Sequence, residues 1–135
     1  MKVGILSFQG SFLDHSKSIL SIGATPVLIK NVSDIYELDA LILPGGESTA
    51  MKKIDSYSEV FNLLDDFIKS GKPTLSTCAG TILLAKDVIG GDTTIPNIDI
   101  QVTRNAYGRQ TESFEGSVSF YDNNDIYCFI RAPKI

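Results

Sequence analysis

A three-layer α/β fold with a mostly parallel sheet and helices on both faces is predicted by three features of the 135-residue sequence. Apolar runs of strand length alternate four times with segments of helical period, the order from which right-handed crossovers build a parallel sheet. The third run, Ala40-Leu41-Ile42-Leu43, is uninterrupted by polar residues, as a strand covered on both faces requires. Glycine or proline stands at most of the changeovers, where regular structure must stop.

Taken in order, Val3 to Phe8 reads as the first strand, and Phe12, Ile19 and Leu20 fall at helical spacing before Gly23 ends that helix. Ala24 to Lys30 reads as the second strand. Asn31 or Ser33 can cap a short helical turn ahead of the third strand, which Pro44-Gly45-Gly46 stops. A longer helix follows, clearest where Val60, Leu63, Leu64, Phe67 and Ile68 repeat on one face, and Gly71 closes it. Thr74 to Thr77 is a fourth strand and Ala79 to Lys86 a further helix. Beyond Gly90-Gly91 the pattern changes to short strands, at Ile98 to Thr103, Gly116 to Tyr121 and Ile126 to Ile130. No repeat or linker-like tract divides the chain, so one flavodoxin-like domain over residues 1–135 is expected.

Composition narrows the function. Twelve basic residues against sixteen acidic ones give a net charge of -4 with no basic cluster, which removes the electrostatic footprint of a nucleic-acid binder. No apolar run approaches the ~20 residues of a bilayer crossing, and the N-terminus does not read as a signal peptide, so a cytoplasmic setting without membrane contact is expected. One histidine and no cysteine pair at ligand spacing leave no metal set, and no cofactor is implied. Of the two cysteines, Cys128 lies in the apolar run Ile126 to Ile130 and is expected to be a small buried side chain.

In open parallel sheets ligands sit at the carboxyl ends of the strands. That rule selects Gln9-Gly10, Pro44 to Thr49 and Thr77 to Gly80. Ser76-Thr77-Cys78-Ala79-Gly80 places a cysteine among small residues at a strand-to-helix junction, the setting of a nucleophile turn. A helix starting at Ala79 would aim unpaired N–H groups at the sulfur and favour its thiolate, although a structural cysteine would fit the same position. In Leu43-Pro44-Gly45-Gly46-Glu47-Ser48-Thr49, consecutive glycines let the backbone approach a ligand and offer an amide to a developing oxyanion. The plainer alternative is a tight turn whose Ser48 or Thr49 caps the next helix.

Together the two stretches resemble class I (triad) glutamine amidotransferases, in which a cysteine attacks the side-chain amide of glutamine and releases ammonia. Further blocks are similar to the glutaminase subunit family of pyridoxal 5'-phosphate synthase, the deoxyxylulose-independent route to vitamin B6. These are Gly4-Ile5-Leu6 with Gln9-Gly10, Leu83-Leu84-Ala85-Lys86, Arg104-Asn105 with Tyr107-Gly108-Arg109-Gln110, Glu112-Ser113-Phe114-Glu115, and Phe129-Ile130-Arg131-Ala132-Pro133. The resemblance implies Cys78 as nucleophile and the backbone amides of Gly46 and Ala79 as the oxyanion hole. It implies glutamine contacts from Gly46, Glu47, Ser48, Arg104, Ile130 and Arg131, and a synthase subunit as the partner that receives ammonia. Gln9 and Gly10 are candidates for docking that partner or switching the oxyanion hole. An arginine fork suits the substrate carboxylate, and a structural ion pair would serve Arg104 or Arg131 equally well. Ser76 stands where the family commonly has glycine, a change small enough to have little effect.

The family carries its catalytic histidine and glutamate in a His-x-Glu motif near the C-terminus, and that motif is absent from these residues. The fold is therefore expected to be incomplete there, with an apolar sheet edge uncovered. The single histidine, His15, falls on the first helix at the edge of its packing face. Two alternatives follow: a non-catalytic binding or regulatory module of the same fold, and a cysteine hydrolase of another substrate class.

Overall fold

The computed structural model describes all residues, Met1–Ile135. Four parallel strands, β1 (Lys2–Leu6), β2 (Thr25–Ile29), β3 (Ala40–Leu43) and β4 (Thr74–Ser76), form one sheet in the order β2-β1-β3-β4. The direction of winding reverses between β1 and β3, so the crevice at their carboxyl ends is where a ligand is accommodated. The chain leaves that end through Gln9-Gly10 from β1 and through Pro44-Gly45-Gly46 from β3.

Helix α1 (Phe12–Ser21) covers one face, its Phe12 and Ile19 packing on Val3, Ile5 and Ile42. Helices α2 (Ser48–Ser58) and α3 (Val60–Lys69) cover the other, where Met51, Val60, Leu64 and Phe67 are buried with Leu6, Leu41 and Leu43. Burying each of these larger side chains contributes roughly 1.5–3 kcal/mol. The predicted layers are thus present. A short 3-10 turn, Val32–Ile35, has Asn31 at its N-cap, one of the two residues expected there, and the carboxylate of Asp34 inside the turn accepts from the backbone N–H groups of Lys30 and Asn31, both at 2.9 Å.

Local boundaries depart from the sequence reading at several points. The longer helix is broken at Glu59 (φ 55°), because Asp55 turns its carboxylate onto the N–H of Phe61 at 2.8 Å and starts a new helix there. The cap of α2 is Glu47, accepting from the Thr49 N–H at 3.3 Å, rather than Ser48 or Thr49. Helix α4 (Ala79–Leu84) ends two residues earlier than expected. Ala85 and Lys86 open a strand instead, β5 (Ala85–Ile89), drawn out by parallel pairing with β6 (Ile98–Thr103).

The last two strands, β7 (Phe114–Phe120) and β8 (Asn123–Phe129), pair antiparallel as a separate two-stranded ribbon. The expectation of a buried Cys128 is corrected here. With neither face of the ribbon roofed by a further layer, Cys128 is exposed and its thiol donates to Glu115 at 3.8 Å. Tyr107, Phe114 and Phe129 form an aromatic cluster at the base of the ribbon. At the open edge of the main sheet, Leu75 is 54% exposed beside an apolar groove that includes Val3, Ile19 and Ile42.

Candidate active site

Cys78 caps α4 at the end of β4 with φ 44° and ψ -106°, outside the regions that L residues prefer. Such a conformation costs on the order of 1–3 kcal/mol and persists only when its surroundings fix it. They do so here. The Thr77 N–H donates to Leu43 O at 3.0 Å, and the Gly80 N–H donates to Pro44 O at 3.1 Å, fastening both sides of the turn to the end of β3. Gly80 is required by this contact, since a Cβ there would lie 2.1 Å from Leu43 O. The sulfur is left exposed.

The glycine turn faces it. A Cβ on Gly45 would lie at the ordinary van der Waals separation of 3.4 Å from Cys78 Cβ, so the two loops stand side by side with about a methyl group's room between them. The Gly45 carbonyl accepts from the Ser11 N–H at 3.0 Å and from the Ser11 hydroxyl at 3.4 Å, which fixes the plane of the Gly45–Gly46 peptide. The Gly46 N–H makes no hydrogen bond within the protein. The Ala79 N–H, first in α4, has no acceptor inside its own helix. Beside them, Gln9 Oε1 accepts from the Glu47 N–H at 2.7 Å, and a Cβ on Gly46 would meet that oxygen at 2.5 Å and the Gly10 Cα at 3.0 Å.

Glu47 lies between two arginines. Arg131 Nη2 reaches its Oε2 at 2.8 Å and Arg104 Nη2 its Oε1 at 3.4 Å. Burial raises the Glu47 carboxyl, and the Thr49 N–H, Arg131 and Arg104 outweigh it, holding the group below its ordinary 4.5. Arg104 is steadied further by the Thr49 hydroxyl at 3.0 Å and the Gly90 carbonyl at 3.3 Å. Two guanidinium groups against one carboxylate leave the site with a surplus positive charge.

These groups line one cavity of about 220 Å³, formed by Gln9, Gly46, Glu47, Ser48, Cys78, Ile82, Arg104, Asn105, Gln110, Ile130 and Arg131. That is small beside the ~300–1,000 Å³ of drug-sized ligand sites, so its occupant is the size of an amino acid. Of the site residues named from the sequence, Gln9, Gly46, Glu47, Ser48, Cys78, Arg104, Ile130 and Arg131 lie on its wall, whereas Ala79 is buried directly behind Cys78 and Gly10 sits off the wall against the Gly45 carbonyl. Ile82, Asn105 and Gln110 were not singled out as site residues. Ile82 could have been found as the residue one helical turn after Cys78, which α4 turns toward the same opening. The other two, brought in by the loop after β6, stand in the family-specific block from Arg104 to Gln110 and could have been taken from it.

A thiol beside free amide donors and an arginine pair suits attack on the carbonyl of a small zwitterionic or anionic substrate. Comparison with known proteins agrees with that chemistry. The family model described as "SNO glutamine amidotransferase family" matches residues 5–135. The pyridoxal 5'-phosphate synthase subunit PdxT of Bacillus thuringiensis (strain Al Hakam) is 45% identical over 138 residues, an alignment covering 100% of this chain and 70% of that protein. The same subunit of Bacillus anthracis is similar to the same extent. A solved structure titled "Crystal structure of glutamine amidotransferase" superposes with a TM-score of 0.84 at 33% identity, covering 97% of this chain and 71% of that one.

Proposed function

Because the chain belongs to the SNO glutamine amidotransferase family, we propose that it is the glutaminase component of a pyridoxal 5'-phosphate synthase. It hydrolyses L-glutamine to L-glutamate and passes the ammonia to a synthase subunit for vitamin B6 synthesis. The observation that carries this reading is the juxtaposition of the Cys78 turn and the Gly45–Gly46 turn, with Cys78 and Gly46 on the wall of one amino-acid-sized cavity.

In this reading the Cys78 thiolate attacks the side-chain carboxamide of glutamine, and the Gly46 and Ala79 amides stabilise the tetrahedral oxyanion. Ammonia leaves as the thioester forms, and water then cleaves the thioester to glutamate. Arg104 and Arg131 receive the substrate carboxylate, Glu47 the ammonium group, and Ser48 and Ile130 complete the wall. Thiol deprotonation and ammonia departure require a proton carrier. The cavity wall holds no histidine, so within these 135 residues the domain supplies the nucleophile, the oxyanion donors and the substrate contacts, and the His-x-Glu pair of the family is not among them. No helix is long and apolar enough to cross a membrane, which accords with a cytoplasmic subunit.

The test is ammonia release from glutamine with the synthase partner present, run beside Cys78→Ala. Release that disappears in the variant supports the assignment, and equal rates remove it. Background rates in both proteins, with normal partner binding, would favour a regulatory module.

A further inference from the structure

We propose that His15 is a positioning residue that holds the Cys78 turn in its strained conformation through the hydroxyl of Thr77, an inference that rests on Cys78 being the nucleophile. His15 Nε2 lies 3.4 Å from Thr77 Oγ1, a contact between residues 62 apart in sequence. Thr77 immediately precedes the strained residue, whose positive φ must be imposed from outside. The backbone bonds to Leu43 and Pro44 tie the turn to β3, whereas the imidazole approaches from α1 on the opposite face of the sheet.

The geometry gives this contact leverage. Thr77 Oγ1 is 3.7 Å, and Cys78 Cβ 3.4 Å, from the point where a side chain on Gly45 would begin. A displaced Thr77 therefore carries Cys78 with it relative to the neighbouring glycine turn. Ser11, four residues before His15 and on the same side of the helix, donates to Gly45 O. One turn of α1 thus grips both loops, Ser11 the glycine turn and His15 the cysteine turn. The imidazole bonds the hydroxyl as acceptor when Nε2 is unprotonated or as donor when it is protonated. A glutamine amide can do either at similar reach, and a leucine can do neither.

The experiment measures the rate at which iodoacetamide alkylates Cys78, with the exposed Cys128 of the same chain as internal reference. In the unaltered chain Cys78 should react faster than Cys128. His15→Leu and Thr77→Val should each slow Cys78 by about three- to tenfold, the factor expected for one hydrogen bond's net contribution, without changing Cys128. The double variant should be no slower than the slower single, and His15→Gln should restore most of the rate. A Cys78 rate untouched by Thr77→Val, losses that multiply in the double variant, or no recovery in His15→Gln would each overturn the proposal. Should His15→Leu fail to fold, Thr77→Val and His15→Gln still decide the matter. Alkylation needs neither glutamine nor a base, so failure of the nucleophile assignment appears separately, as ammonia release that survives Cys78→Ala.

Discussion

Replacing Gly80 by alanine sets two effects of opposite sign against each other. Gly80 is the second residue of α4, and alanine in a helix is ordinarily favoured over glycine by about 1 kcal/mol. At this position the new Cβ would stand 2.1 Å from Leu43 O, 2.6 Å from its carbonyl carbon and 2.8 Å from its Cβ. These atoms belong to the end of a strand inside the sheet and cannot rotate away, so α4 and β3 must separate by about 1 Å. Overpacking of this kind costs about 1–3 kcal/mol. The bonds from Thr77 N–H to Leu43 O and from Gly80 N–H to Pro44 O are stretched by the same movement, each worth about 0.5–1.5 kcal/mol net. The steric terms win, and Gly80→Ala should lose about 1–4 kcal/mol overall. Urea unfolding reads this as a lower midpoint at unchanged slope. The displaced turn should also slow Cys78 alkylation. A variant as stable as the parent, or more so, would refute the close approach of α4 to β3 on which the site geometry depends.

Glu47→Gln should cost about 1 kcal/mol near pH 6, a figure reduced for the partial exposure of Arg131. A carboxyl held below 4.5 in the folded state stabilises above that pH, and the benefit is lost as pH falls through its folded value. Urea midpoints of parent and variant should therefore converge as pH falls below 4.5, and a gap constant across pH would contradict the ion-pair account. Asp65 accepts from Asn97 Nδ2 at 2.7 Å and pairs with Lys69 at 2.6 Å, tying α3 to the segment before β6. Asp65→Ala should lose about 1 kcal/mol and speed amide exchange around residues 95–97; unaltered exchange there would exclude the tether.

The parts of the fold legible in the sequence were those written in local chemistry. Ala40 to Leu43 could only be a doubly covered strand, Pro44-Gly45-Gly46 only a turn, and the α3 repeat from Val60 to Ile68 buries the face it predicts. The cysteine turn was legible because small residues flank Cys78 at a strand-to-helix junction and the glycine turn after β3 falls on the same sheet edge. What escaped depends on atoms remote in sequence. The break at Glu59 comes from the reach of Asp55, the early end of α4 from pairing of Ala85 with Ile98, and the exposure of Cys128 from the lack of a layer over its ribbon. The approach of His15 to Thr77 likewise exists only once α1 has packed, and helical periodicity alone placed it merely at the edge of a packing face. At the site, the family resemblance pointed to Arg104, Arg131 and Glu47, but the ion pairing of both arginines with that one carboxylate became visible only in three dimensions.

Treatment with a diazoketone analogue of glutamine, followed by peptide mass mapping, asks the central question most directly, because the reagent must sit in the cavity beside Cys78 before a thiolate displaces its dinitrogen. The account predicts a single adduct on Cys78, suppressed by excess glutamine, with Cys128 unmodified despite its exposure. An adduct on Cys128 instead, or labelling of Cys78 that glutamine does not suppress, would contradict it.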